Sequence, residues 1–116
     1  MSPASPTAAA GAAPVFAALG DRTRLALVAR LGTAGPLSIA QLTSGAPVTR
    51  QAITKHLNVL ASAGLVRDRR RGREHIWELD IGPVEAARRY LEQISLRWDE
   101  ALGRLKQLVE EPAEDR

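Results

Sequence analysis

Thr49-Arg50-Gln51-Ala52-Ile53-Thr54-Lys55-His56-Leu57-Asn58-Val59-Leu60-Ala61-Ser62-Ala63-Gly64 reads as one short helix with two unlike faces. Ile53, Leu57 and Leu60 stand at i, i+4 and i+7, an apolar stripe at helical period. Thr49 can cap the start with its hydroxyl. Val48 and Ile53 fall at the two positions of a hydrophobic staple around that cap. Gly64 suits the left-handed residue that ends a helix. The opposite face carries Arg50, Gln51, Thr54, Lys55 and Asn58. These side chains reach base edges or phosphates and have little to offer a core. Taken alone, the stretch is more often an ordinary surface helix with a solvated polar face. Its flanks shift the reading toward a helix that enters the major groove of DNA.

Upstream, the signals are caps and breaks. Met1 to Ala13 is Ala, Pro and Ser with one Gly and one Thr. It has no charge and no periodicity, and is expected to be a disordered tail. It also lacks the basic start and apolar centre of a signal peptide. Pro14 can open a first helix to Leu19, because proline is tolerated at the first helical position. Val15, Phe16 and Leu19 would be its buried residues. Gly20 breaks it, and Asp21 caps a second helix from about Arg22 to Leu31 with Leu25, Val28 and Leu31 as its stripe. Ser38-Ile39-Ala40-Gln41 is a capping box, stapled by Leu37 and Leu42, which predicts a short third helix, Ile39 to Ser44. Gly45 to Val48 is then the turn of a helix-turn-helix.

Downstream the period changes. Leu65-Val66 opens an extended stretch, Arg69-Arg70-Arg71-Gly72-Arg73 is read as a turn, and Arg73 to Asp80 alternates as a strand. His75, Trp77 and Leu79 share one face of that strand. Five arginines crowd into Arg67 to Arg73. A solvated hairpin end would explain them, but beside a helix-turn-helix they are placed for phosphate or minor-groove contact. Between Arg50 and His75 there are seven Lys/Arg against two acids, more than the whole chain's net charge of +3. A basic patch of this kind is the footprint of a polyanion binder. No basic amphipathic helix with a wide apolar face accompanies it, which argues against a membrane surface.

Gly82-Pro83 stops the strand and starts a last helix to about Glu110. Val84, Leu91, Trp98 and Leu105 recur every seven residues, and so do Ala87, Ile94, Ala101 and Leu108. Four heptads with both seam positions apolar predict a helix packed along another helix. It could lie across its own domain. Dimerisation is the better reading, because a small three-helix core cannot cover roughly 40 Å of helix at 1.5 Å per residue. Val84, Ala87, Leu91, Ile94, Trp98 and Leu105 are the expected dimer-interface residues.

The order of elements, together with Ala18 to Arg24, Gly35 to Leu42, Pro47 to Leu57, Leu60 to Val66 and Gly72-Arg73, resembles an ArsR-type winged helix-turn-helix transcriptional regulator. The resemblance covers about Pro14 to Glu110. Arg22 departs from it, standing where the family usually has proline. The fold it implies is mainly α, in the α+β class. It is a winged helix-turn-helix with a two-stranded β-hairpin wing and a long C-terminal dimerisation helix, 83–110. That domain would span 14–110, between tails at 1–13 and 111–116. The resemblance assigns base or phosphate contacts to Thr49, Arg50, Gln51, Thr54 and Lys55, and resembles the family at His56, for which a structural role is as good a reading. On the wing it assigns Arg69, Arg70, Arg71 and Arg73. Arginine or lysine can pair with guanine, and glutamine with adenine.

The function implied is a bacterial, cytoplasmic repressor, a homodimer on an inverted-repeat operator in double-stranded DNA. The best-known members sense metals through cysteines in the third helix or His and Asp/Glu clusters on the last. This chain has no cysteine, and its two histidines, His56 and His75, do not stand at metal spacing. No cofactor or metal is therefore expected, and the inducer is left open. A winged-helix protein–protein module with a basic face is the competing reading. An enzyme is not indicated: no glycine-rich phosphate loop, no Gly-x-Ser-x-Gly and no carboxylate pair near a histidine is present.

Overall fold

A computed structural model describes residues 6–110. The expected tail at 111–116 and the first five residues lie outside them. The described chain runs α1 (Pro6–Leu19), α2 (Arg22–Ala34), β1 (Leu37–Ser38), α3 (Ile39–Thr43), α4 (Arg50–Ser62), β2 (Val66–Arg71), β3 (Glu74–Leu79) and α5 (Ile81–Glu110). This is the winged helix-turn-helix expected, with α3 and α4 as the helix pair.

Each cap anticipated from sequence is made. Asp21 Oδ2 accepts from the Arg24 backbone N–H at 3.0 Å. Ser38 and Gln41 exchange both bonds of the capping box. Thr49 Oγ1 accepts from the Ala52 N–H at 3.1 Å. These bonds satisfy donors that a helix start otherwise leaves open. At the other end of α4, Gly64 takes φ +80°, and the Leu65 N–H reaches back to the Leu60 carbonyl at 2.9 Å. That left-handed turn swings the chain from α4 directly into the wing. Arg30 of α2 donates to the carbonyls of Gln41 and Leu42, at 2.8 and 3.2 Å. It thereby closes the end of α3 and fixes α2 to the helix pair.

The core joins all the layers. Val15, Ala18, Leu27, Leu31, Leu42, Ile53, Leu57, Leu60, Leu65, Val66, Trp77 and Ala87 form one buried cluster. The α4 stripe read from sequence, Ile53, Leu57 and Leu60, is entirely inside it.

Several expectations are corrected. α1 begins at Pro6, so 6–13 is helix and not a disordered tail. Alanine is the best helix former, and Ala12, Val15 and Ala18 give α1 a buried inner edge. That edge is made of small residues, which carry little hydrophobic periodicity. Leu31 is buried as expected, but Leu25 is 53% exposed and α2 buries Leu27 in its place. The two-stranded hairpin wing, β2-β3, forms as expected, but a third strand not anticipated from sequence joins it, in the order β1-β3-β2. Leu37 and Ser38 pair with Trp77 and Ile76. A two-residue strand has no period to read, yet it ties the start of α3 to the wing.

The hairpin turn is also tighter than expected. Arg69, Arg70 and Arg71 belong to β2, with Arg71 opposite Glu74, and only Gly72-Arg73 make the turn. Gly72 has φ +63° and Arg73 does not have positive φ. Glycine alone at the first central position is the signature of a type II′ turn, whose twist matches the flanking strands.

α5 divides into two parts. Its first turns lie against α1, where Phe16 and Tyr90 meet with ring centroids 6.5 Å apart. From Ser95 to Glu110 every residue except Ala101 is exposed. The expectation that the whole heptad row faces a second chain is corrected at its start. Ala87 is only 5% exposed and sits in the chain's own core, with Val84 packed beside it.

Candidate nucleic-acid interface

α4 turns its stripe inward because Ile53, Leu57 and Leu60 can be buried nowhere else. The helical period then presents Arg50, Gln51, Lys55 and Asn58 to solvent. Thr54 is half-buried, and its hydroxyl donates to the Arg50 carbonyl at 2.9 Å. That bond uses its only proton, so Thr54 retains acceptor capacity and a methyl group for a partner. Thr49 is exposed, and its oxygen accepts the cap bond.

His56 does not share this face. Its Nδ1 lies 3.3 Å from Arg24 Nη1 and 3.8 Å from Asp21 Oδ2. A guanidinium can only donate, so the shorter contact makes Nδ1 an acceptor. The same arginine donates through Nε to the Ala18 carbonyl at 2.6 Å. His56 thus joins α4 to the start of α2, in keeping with the structural role that stood beside a DNA contact as a reading of this residue. The backbone N–H of Arg24 holds the Asp21 carboxyl below its ordinary value, and the charge of Arg24 acts in the same direction.

Side-chain alternation splits the wing into two faces. Val66, Asp68 and Arg70 of β2 share a face with Leu79, Trp77 and His75 of β3. Trp77 is buried on that side, toward α4. Arg67, Arg69 and Arg71 stand on the other face, opposite Glu78, Ile76 and Glu74. There Glu78 Oε1 lies 3.4 Å from Arg69 Nε and 3.9 Å from Arg67 Nη2. Of the four wing arginines expected at the site, Arg69 is therefore engaged by an acid on the face away from α4. Arg70 shares the α4 face, and Arg71 and Arg73 occupy the tip. All four are exposed.

Between α4 and the wing is an open cleft of about 240 Å³. Arg50, Thr54 and Asn58 line one wall; Asp68, His75 and Trp77 line the other. A smaller adjoining pocket of about 140 Å³ toward the tip brings Arg50 together with Arg73. The start of α4 and the tip of the wing thus act as two sides of one basic groove. Asn58, Asp68 and His75 are additions to the expected site. Asn58 was legible, one turn beyond Thr54 on the polar face. Asp68 and His75 come together only once the hairpin register is known.

Among the described residues, no group of three or more His, Cys, Asp or Glu is placed to hold a metal ion. No helix among them is long and apolar enough to cross a membrane.

A family model described as a helix-turn-helix domain matches residues 19–69, from the end of α1 to the middle of β2. An HTH-type transcriptional regulator of Mycobacterium tuberculosis is 39% identical over 84% of this chain and 88% of its own length. An ArsR-like transcriptional regulator from Rhodococcus sp. RHA1 superposes with a TM-score of 0.75. It is 40% identical, over 85% of this chain and 92% of the other. The chain belongs to the ArsR-type winged helix-turn-helix transcriptional regulators. This is a family of regulators and not of enzymes. An HTH-type regulator of Bacillus subtilis is 40% identical over 61% of this chain and 84% of its length. The ArsR-type pattern thus holds for the fold, including the long last helix, and for the helix pair whose α4 forms one side of the basic groove.

Proposed function

We propose that this ArsR-type regulator is a homodimeric, cytoplasmic repressor that binds an inverted-repeat operator in double-stranded DNA. The observation that carries the reading is the groove itself. An exposed polar face on α4 lies beside a basic wing, with Arg50 and Arg73 facing one space. A helix of this size fits the major groove, while the wing arginines meet phosphate or the minor groove. Arg50 and Gln51 are assigned to base edges, Lys55 and Thr49 to base or backbone, and Arg70, Arg71 and Arg73 to backbone. Dimerisation is supported by the apolar surface that α5 exposes: Leu91, Trp98, Leu102, Leu105 and Leu108 are all more than half exposed. A contiguous apolar surface of that extent on a soluble domain marks an interface. Two copies related by a two-fold axis present two α4 helices, which is why the operator is an inverted repeat. Bound over a promoter, such a dimer occludes it, so repression is the proposed outcome.

Selection of bound duplexes from a random pool, followed by a mobility shift against excess nonspecific DNA, tests the reading. Recovery of a shared palindromic sequence supports it. Binding that nonspecific DNA competes away equally refutes sequence specificity. No binding at all refutes the reading entirely.

A further inference from the structure

We propose that His75 is a proton-dependent DNA contact, held in place by Asp68 on the wall of the groove opposite Arg50. The proposal rests on the DNA-binding reading above and adds a residue and a regulating variable to it. His75 Nδ1 lies 3.0 Å from both carboxylate oxygens of Asp68. An ionised carboxylate only accepts, so Nδ1 carries the hydrogen. Nε2 is then the ring's remaining polar atom, and it makes no hydrogen bond among the described residues. Both side chains are close to half exposed, at 46% and 40%, and both line the cleft with Arg50.

The protonation state decides what this pair offers to DNA. With His75 neutral, the pair carries one negative charge, from Asp68, and Nε2 is a lone pair. Both features repel a phosphate. When His75 takes up a proton, Nε2 becomes a donor and the pair becomes neutral overall. Histidine is the residue type whose ordinary titration, near about pH 6.5, lies in the physiological range. The charged groups around the ring are Asp68 and Arg70 on β2, Arg73 and Glu74 at the turn, and Arg50 on α4. Without DNA, the three arginines oppose a further positive charge, while Asp68 and Glu74 favour it. A phosphate seated between Arg73 and His75 offsets the arginines. DNA binding and proton uptake are then linked, and each favours the other.

The test uses full-length protein and a fluorescein-labelled duplex selected with the wild type. Dissociation constants are measured by anisotropy from about pH 8 down to about pH 5.5, the window in which histidine changes charge. Wild-type affinity is expected to rise on acidification, by no more than about tenfold per pH unit for one linked proton. His75→Gln should flatten that slope. His75→Arg should flatten it too, and bind more tightly than His75→Gln at the alkaline end. His56→Gln should keep the wild-type slope, because His56 faces α2. In a separate measurement on unmutated protein, the NMR titration midpoint of His75 should move to higher pH when the duplex is added. A wild-type slope retained in His75→Gln, or a midpoint indifferent to DNA, overturns the proposal while leaving the DNA-binding reading intact. Failure of the wild type to bind any selected duplex overturns both.

Discussion

Replacing Trp98 with glutamate separates the two uses of α5. Trp98 is 63% exposed in the single chain, so the folded domain gains little from it. A tryptophan side chain offers up to about 250 Å², and roughly 160 Å² of it is therefore available for a partner helix. At about 25 cal/mol per Å², burial of that area contributes about 4 kcal/mol per chain and about 8 kcal/mol per symmetric dimer. Ordering of side chains and loss of rigid-body freedom reduce the net value. Glutamate removes the apolar term and adds two unpaired buried charges across the two-fold axis. The dimer dissociation constant should rise by at least about a thousandfold, which corresponds to roughly 4 kcal/mol. The melting temperature at low protein concentration should hardly change, because the core cluster ends at Ala87. Sedimentation equilibrium of both proteins reads the first effect, and thermal denaturation at two concentrations reads the second. Operator affinity should fall with the dimer, since two half-sites no longer act through one body. A Trp98→Glu protein that stays dimeric would refute the assignment of this face, and so would a monomeric wild type that binds the operator tightly.

Other consequences are as direct. Arg50→Ala or Gln51→Ala should relax preference at particular base pairs, at about 1–3 kcal/mol each for a bidentate contact, whereas Arg71→Ala or Arg73→Ala should weaken all sequences evenly and reduce the salt slope by about one per phosphate lost; binding selections at several salt concentrations distinguish them. Footprinting should show two half-sites with centres roughly 34–36 Å apart, one turn of duplex; a single unrepeated half-site at full affinity would contradict the dimer. Leu57 is 0% exposed, so Leu57→Ala should cost about 2–5 kcal/mol in denaturant unfolding. Asp21 is held ionised in the fold, so its contribution is present above its ordinary pKa of 3.8 and is lost as pH falls through the lower folded value. Asn can still cap but does not titrate, so between about pH 6 and about pH 3 the wild type should lose more melting temperature than Asp21→Asn.

Most of the helical frame was legible because its signals are local. Asp21, Thr49 and the Ser38–Gln41 box each act within four residues, and all three form as read. The stripe of α4 was equally clear, since three large aliphatic residues at helical spacing leave one way to bury them. Less was legible where the deciding contact is distant or the residues are small. The inner edge of α1 is Ala12, Val15 and Ala18, whose value comes from close approach to neighbouring helices and not from bulk. Helical spacing selects Leu25 with Val28 and Leu31, whereas the core takes Leu27; the difference is set by the direction in which α2 meets the core. The wing was misplaced by its own charge. Three consecutive arginines suggested a loop, but cross-strand partners Glu74, His75 and Ile76 hold them in a strand. A wider turn would shift the register, and it is the register that brings Asp68 and His75 together. His56 was legible as a residue of α4 but not as a partner of Arg24, which lies 32 positions away.

The heptad of α5 shows how one periodic pattern can serve two partners. Periodicity reports that a face is apolar; it does not report what covers it. Along Val84 and Ala87 the cover is the chain's own core, joined by the Phe16–Tyr90 contact between α1 and α5. A small alanine at 87 allows that close approach, and a larger residue there would force α5 away from the core. Further along, the same register carries Trp98 and Leu105 beyond the reach of the other helices, on a molecule whose longest dimension is 77 Å. Large apolar residues there add nothing to the folding of one chain and raise its tendency to associate. Small at the start and large at the end is therefore the pattern expected of a helix anchored in one domain and completed by a second copy. The consequence is specific. Ala87→Leu should destabilise the single chain, whereas Trp98→Glu should leave the chain folded and separate the pair. If unfolding and sedimentation reported the reverse assignment, α5 would not be divided in this way.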